Sequence, residues 1–178
     1  MNKLLKVLSI VIAGFALTAN SFAADVTMRI SIQLPMKSHL GQNLLLFKND
    51  VEAKSKGEIE VQIYDSAQLY KDKEVPAAVG SGSIEAGVAS LTRYVGDIPA
   101  VDIFYQPFLL NSEAKVRKAV AKGSAIRGPI DKAIEGTGST VLWWQAYGSA
   151  VMLSKGQGIK NPSDMKGKKV RVFGKTLG

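Results

Sequence analysis

Apolar and polar side chains alternate from Val26 to Ile32, with Val26, Met28, Ile30 and Ile32 on one side and Thr27, Arg29 and Ser31 on the other. That period of two predicts a strand. Ser38 then precedes a stretch in which Leu40, Leu44, Phe47 and Val51 share one helical face, and Gly57 follows it, so an N-cap, a stripe and a terminating glycine agree on one helix. Alternation resumes at once, with Ile59, Val61 and Ile63 inward and Glu58, Glu60 and Gln62 outward. Strand, helix and strand in that order form a βαβ unit, whose right-handed crossover makes the strands parallel neighbours or near neighbours. Ligands of such sheets bind beyond the carboxyl ends of the strands, here residues 33–39 and 65–70.

The same reading continues down the chain. Lys71 to Val79 predicts a helix in which Pro76 fits only a first turn or a kink, and Gly80 to Gly82 stops it. Ile84 to Ser90 predicts a short strand of small residues, Leu91 to Pro99 a loop, and Val101 to Leu110 an extended apolar stretch that Pro107 marks as an edge or irregular segment. Two helices follow, one capped by Ser112 with Val116, Ala119 and Val120 inward, the other carrying Ile126, Ile130 and Ile134, with Gly123 and Gly136 behind them. Ser139 to Tyr147 predicts a strand, then come Val151 to Leu153, a turn at Asn161-Pro162-Ser163-Asp164 and a last strand from Lys169 to Phe173. Strands alternating with helices place the chain in the α/β class, with no internal repeat. Lys175 to Gly178 follow the last strand with neither a closing helix nor a polar tail, so that strand is expected to lack a partner within this chain and the sequence to be truncated.

The first residues follow a different pattern. Lys3 and Lys6 precede an apolar run from Val7 to Ala19, and Ser21-Phe22-Ala23 offers small residues where a signal peptidase reads them. The run is too short for a membrane span, so residues 1–23 are expected to be a cleaved signal peptide and the mature protein to start at Ala24 in a bacterial periplasm.

Composition narrows the chemistry. Of 178 residues 46% are hydrophobic and 21% charged, a globular balance. No cysteine is present, which excludes a disulfide scaffold, a thiolate zinc site and a cysteine nucleophile, and the single His39 removes most histidine metal clusters. The net charge of +8 is scattered, with local clusters at Lys115 to Lys122 and Lys166 to Arg171, so no nucleic-acid partner is expected.

Catalytic motifs are missing. Gly80-Ser81-Gly82 and Gly136-Thr137-Gly138 lack the spacing of a dinucleotide fingerprint and read as turns. A serine nucleophile would have only His39 as its base, and no GxSxG elbow exists. No cofactor, metal or catalytic residue is assigned. In Trp143-Trp144-Gln145-Ala146-Tyr147 successive rings point to opposite faces, so one tryptophan belongs to the core and the other either packs or lines a cavity. In Lys169-Val170-Arg171-Val172-Phe173 the valines share one face and Arg171 takes the other. A strand arginine is commonly a surface residue, but its planar fork also donates two parallel hydrogen bonds to one carboxylate.

Several segments in fixed order carry a resemblance: Asp65-Ser66-Ala67-Gln68-Leu69, Gly80-Ser81-Gly82-Ser83-Ile84-Glu85-Ala86-Gly87, Pro107-Phe108-Leu109-Leu110, and Ser163-Asp164-Met165-Lys166-Gly167-Lys168-Lys169-Val170-Arg171-Val172. Together with the leader and the βαβ opening, this set resembles the DctP-type substrate-binding proteins of tripartite ATP-independent periplasmic (TRAP) transporters. The resemblance implies a periplasmic binding protein-like two-lobed clamshell that captures an organic acid, a small mono- or dicarboxylate, and presents it to a sodium-driven membrane permease. It implies lobe I at residues 24–148, the beginning of lobe II at 149–178, and a monomer. Arg171 falls on the family's ligand arginine, which pairs with the substrate carboxylate. Further ligand contacts are expected from Gln33, Ser90, Arg93, Tyr94 and Tyr147, all at strand ends or in the loops after them. Family members that bind sialic acid carry a second arginine where this chain has Ala150, Val151 and Met152, and a glutamate near Ser90, so that ligand is disfavoured. The alternatives are an exported α/β enzyme or an anion-binding protein with no transport role.

Overall fold

The computed structural model describes residues 24–156 and 158–172; the expected leader and the end of the last expected strand, from Phe173 on, lie outside them. The chain opens with β1 (Val26–Ile32), α1 (His39–Lys54) and β2 (Ile59–Tyr64), the βαβ unit expected from its periodicity. Then follow α2 (Val75–Gly80), β3 (Ala86–Val88), α3 (Glu113–Val120) and α4 (Arg127–Glu135), with 3-10 turns at Leu91–Arg93, Pro99–Tyr105 and Pro162–Met165. β1 is central in the sheet order β2-β1-β3, and both pairings are parallel. The register runs from Val26 opposite Ile59 to Ser31 opposite Tyr64 on one side, and from Ile30 opposite Ala86 to Ile32 opposite Val88 on the other.

A strand paired on both edges can be packed on both faces, and the end of β1 is. Ile30 and Ile32 join Leu40, Leu44 and Val61 in the first core cluster, which Met28, Phe47, Val51 and Ile63 extend. Ser31 is equally buried between them, on the opposite face, and its hydroxyl bonds the backbone N–H and carbonyl of Tyr70 at 3.2 Å each. A buried hydroxyl satisfied in this way costs little.

α1 starts where Ser38 Oγ accepts from Gly41 N at 3.1 Å. Gly41 is required by contact rather than by conformation: a Cβ there would stand 2.6 Å from Met36 O and 2.7 Å from its Cα, both backbone atoms. The helix also closes the outer edge of β2. Glu52 Oε1 accepts from Val61 N at 2.9 Å, and Lys48 Nζ donates to Val61 O and to Glu52 Oε1, each at 2.6 Å. Those bonds hold the Glu52 carboxyl below its usual pKa, the lysine contributing most. An edge occupied in this way is a poor template for a further strand.

β3 is short, and side chains hold it. Arg29 grips Glu85 through its backbone N–H and Nε to Oε2 and its terminal nitrogen to Oε1 at 2.7 Å, and donates also to Ser83 O. The hydrogen bonds from Arg29 pull the Glu85 carboxyl down to about 2.

Three expectations change. The helix read from Lys71 begins at Val75, with Pro76 in its first turn as the ring demands. The stretch from Val101 to Leu110 is not extended: a 3-10 turn runs from Pro99 to Tyr105, because Ile98, Val101 and Phe104 recur every third residue, the period of that helix, and all face the second core. Ser139 to Tyr147 does not pair into a sheet; Lys169 to Val172, for which no partner within this chain is expected, is likewise unpaired. Alternation predicts which way side chains point, whereas a strand needs a second backbone at its edge. The second core gathers Tyr94, Ile98, Val101, Ile130 and Ile134, with Phe104, Val141 and Trp144 packed on it.

Two outcomes follow from this packing. Gly41→Ala gains about 1 kcal/mol of helix propensity, yet the clash with Met36 makes it less stable than the parent by about 1–3 kcal/mol in urea unfolding. Glu85 is depressed in the folded state, so its stabilisation is full above its ordinary value of 4.5 and is lost as pH falls from there toward 2. Chemical unfolding at about pH 6 and pH 3 should therefore show a larger loss for the parent than for Glu85→Gln.

Candidate functional site

The carboxyl end of the sheet gathers polar groups from separate segments. Gln33 follows β1 directly, Ser90 lies just beyond β3, and Tyr147 ends the extended stretch that begins at Ser139. Gln33 Nε2 donates to the Tyr147 hydroxyl in a close contact and reaches Ser90 Oγ at 3.5 Å, while the Ser90 and Tyr147 hydroxyls stand 3.4 Å apart. The Gln33 Oε1 atom is buried with no hydrogen-bond partner.

Asp72, which sequence reasoning passed over, organises this group from below. Its Oδ1 accepts from Ser90 N at 2.9 Å and its Oδ2 from Arg93 Nε at 2.6 Å. The Asp72 side chain is 15% exposed and that of Arg93 32%, so the ion pair is shielded enough to matter. Nearby, Thr92 N donates to the Tyr105 hydroxyl at 3.2 Å. Burial raises the pKa of both the Tyr147 and Tyr105 hydroxyls above the ordinary tyrosine value.

Tyr147 arrives there on a strap. From Trp143 to Tyr147 the odd residues face α1 and the sheet end. Trp143 packs on Phe47 with ring centroids 5.1 Å apart, Gln145 Oε1 accepts from Asn43 Nδ2 at 2.8 Å, and Tyr147 meets Gln33. The even residue Trp144 turns to the second core, where Nε1 donates to Asp131 Oδ1 at 2.7 Å and the ring meets Phe104 at a tilt of 57° under the Arg127 guanidinium. Asp131 Oδ2 accepts from the buried Arg127 Nε at 2.9 Å. His39 Nε2 donates to Ala146 O at 3.2 Å, a structural task for the chain's one histidine. The alternation read from the sequence is therefore real, and side chains on both faces replace the missing backbone ladder. Trp144 packs in the core, and Trp143 stays partly exposed.

The structure thus brings together Gln33, Ser90, Arg93 and Tyr147. Tyr94 is a correction: it is 9% exposed and packs in the second core beside Ile98 and Val101, because the 3-10 turn at Leu91–Arg93 rotates Arg93 toward Asp72 and the next side chain inward. Arg171 is exposed in a segment with no helix or strand. Asp72 was hidden because Lys71-Asp72-Lys73 reads as a solvated charge run, and only the fold brings it to Ser90. Among the described residues no group of three or more metal-ligating side chains converges.

Residues 30–177 match the family model of the bacterial extracellular solute-binding proteins, family 7 (DctP). A solute-binding protein of Verminephrobacter eiseniae is 31% identical over 155 residues, covering 85% of this chain and 44% of its own length. The C4-dicarboxylate-binding periplasmic protein DctP of Rhodobacter capsulatus is 26% identical over 161 residues, covering 89% and 47%. Among solved structures, a TRAP periplasmic solute-binding protein of Chromohalobacter salexigens with bound D-glucuronate superposes with a TM-score of 0.76 at 22% identity, over 84% of this chain and 49% of that one. The chain spans about half the length of the curated relatives it matches. Its α/β fold is that of the two-lobed periplasmic binding proteins.

The strap's anchorage can be tested through its tryptophans, the two in the chain. Asp131→Ala leaves the Arg127 guanidinium and the Trp144 indole without their shared acceptor, which costs about 1–3 kcal/mol. The tryptophan emission of the variant should shift to the red in its native baseline.

Proposed function

Because the chain belongs to the bacterial extracellular solute-binding proteins of family 7, we propose that it captures an organic acid at the carboxyl end of its sheet and delivers it to a sodium-driven TRAP permease. Proteins of this family bind solutes for transport and are not enzymes. The observation that carries the reading is the meeting of Gln33, Ser90, Arg93 and Tyr147, from three separate segments, where a parallel sheet presents its ligands. The solutes named for the Rhodobacter and Chromohalobacter proteins, a C4-dicarboxylate and D-glucuronate, are both carboxylates, which supports the same class here.

In this reading residues 1–23 are a cleaved leader to the periplasm, residues 24–148 form lobe I, and residues 149–178 begin lobe II. Arg171 takes the ligand carboxylate through its planar fork, and the cluster around Ser90 takes the far end. Water leaves Arg171 as the acid binds, and the lobes close over the pair through contacts that exist only in the closed state. A micromolar dissociation constant corresponds to about −8.2 kcal/mol, of which one charge-assisted bond contributes roughly 1.5–3. The polar cluster and lobe closure must supply most of the remainder. The protein works as a monomer, with no cofactor.

Calorimetric titration of the full-length gene product with a panel of small organic acids tests this. Arg171→Ala should weaken every carboxylate by more than about tenfold with the fold intact, and Arg171→Lys should restore affinity only in part. An alanine variant that binds as tightly as the parent overturns the assignment.

A further inference from the structure

The charges around Ser90 constrain the ligand's far end, given the reading that Arg171 holds its carboxylate. Among Gln33, Asp72, Ser90, Arg93 and Tyr147, two carry a charge, and these two are spent on each other: Arg93 Nε donates to Asp72 Oδ2 at 2.6 Å. Asp72 is fixed from its other oxygen as well, since Oδ1 holds the Ser90 N–H at 2.9 Å. The acid therefore stays beside the serine rather than swinging away with solvent. What faces a ligand from Gln33, Ser90 and Tyr147 is a primary amide and two hydroxyls, all uncharged.

An anion set against the terminal nitrogens of Arg93 would sit within roughly 5–6 Å of the Asp72 carboxylate, where repulsion offsets much of the guanidinium's attraction. A carboxylate placed at Ser90 fares worse, because the Ser90 N–H already points at Asp72. A hydroxyl or amide meets no such penalty: it accepts from one of these groups and donates to another. We infer that the ligand is a monocarboxylate whose far end is an uncharged hydroxyl or amide-like group, and that the Asp72–Arg93 pair selects against a second carboxylate. Asp72 is then a specificity-determining residue that acts by cancelling Arg93 and holding Ser90.

Succinate and its monoamide, succinamate, separate charge from shape, because they differ only in the group at one end. Calorimetry of the full-length gene product at pH 7 should give succinamate an affinity at least about tenfold above that of succinate. Asp72→Asn keeps an oxygen for the Ser90 N–H but removes the negative charge, leaving Arg93 uncompensated, so succinate should gain and the gap should narrow to less than about threefold. Arg93→Gln removes the other partner, and succinate should then fall further than succinamate. Succinate binding as well as succinamate in the parent, or an unchanged ratio in both variants, overturns the inference and leaves organic-acid capture standing. A protein that binds neither of these nor any other carboxylate of a broad panel overturns both.

Discussion

The carboxyl end of β1, Ile30 to Ile32, has a neighbouring strand on each edge and is packed on both faces, and the polar groups at the site are placed by reference to it. Ile30, Ser31 and Ile32 are buried in succession, which is possible only where parallel neighbours satisfy the backbone on each side. Once that end is fixed, Gln33 must emerge beside β3, and the residues after Val88 must pass over it. The chain then turns at Leu91–Arg93, which sends Arg93 back to Asp72 and Tyr94 into the second core.

Around this strand the molecule uses side chains wherever the backbone cannot finish the work. Lys48 and Glu52 complete the edge of β2, Arg29 and Glu85 hold a strand of three residues, and Ser31 anchors the chain at Tyr70. The strap from Ser139 to Tyr147 extends the principle. It crosses both core clusters with no ladder of its own, fastened alternately to α1 and to α4. Such a fastening couples the second core to the site, because the segment that buries Trp144 also delivers the Tyr147 hydroxyl to Gln33 and Ser90.

Electrostatic economy marks the site itself. Pairing Arg93 with Asp72 tempers the local field without removing the donors. Orientation is then left to hydroxyl and amide groups, whose hydrogen bonds depend steeply on geometry.

Much of the fold was legible along the chain, and the reason is local. The period of two in Val26 to Ile32 and Ile59 to Ile63, the Ser38 cap and the stripe from Leu40 to Val51 are statements about which face is apolar, and burial enforces them directly. Pro76, Ser112 and the helix of Ile130 and Ile134 declared themselves in the same way. Gln33, Ser90 and Tyr147 could be nominated because strand ends and the loops after them are where such sheets bind. Tertiary structure alone decided the rest. Whether Ser139 to Tyr147 becomes a strand depends on an adjacent backbone that no local pattern encodes. Whether Asp72 is a surface charge or the partner of Ser90 and Arg93 depends on contacts 18 and 21 residues away. Tyr94 and Arg93 are neighbours with the same loop setting, and a single 3-10 turn sent one to the core and the other to the site. Periodicity records which side of the chain meets water; which residues meet each other is fixed only when the elements pack.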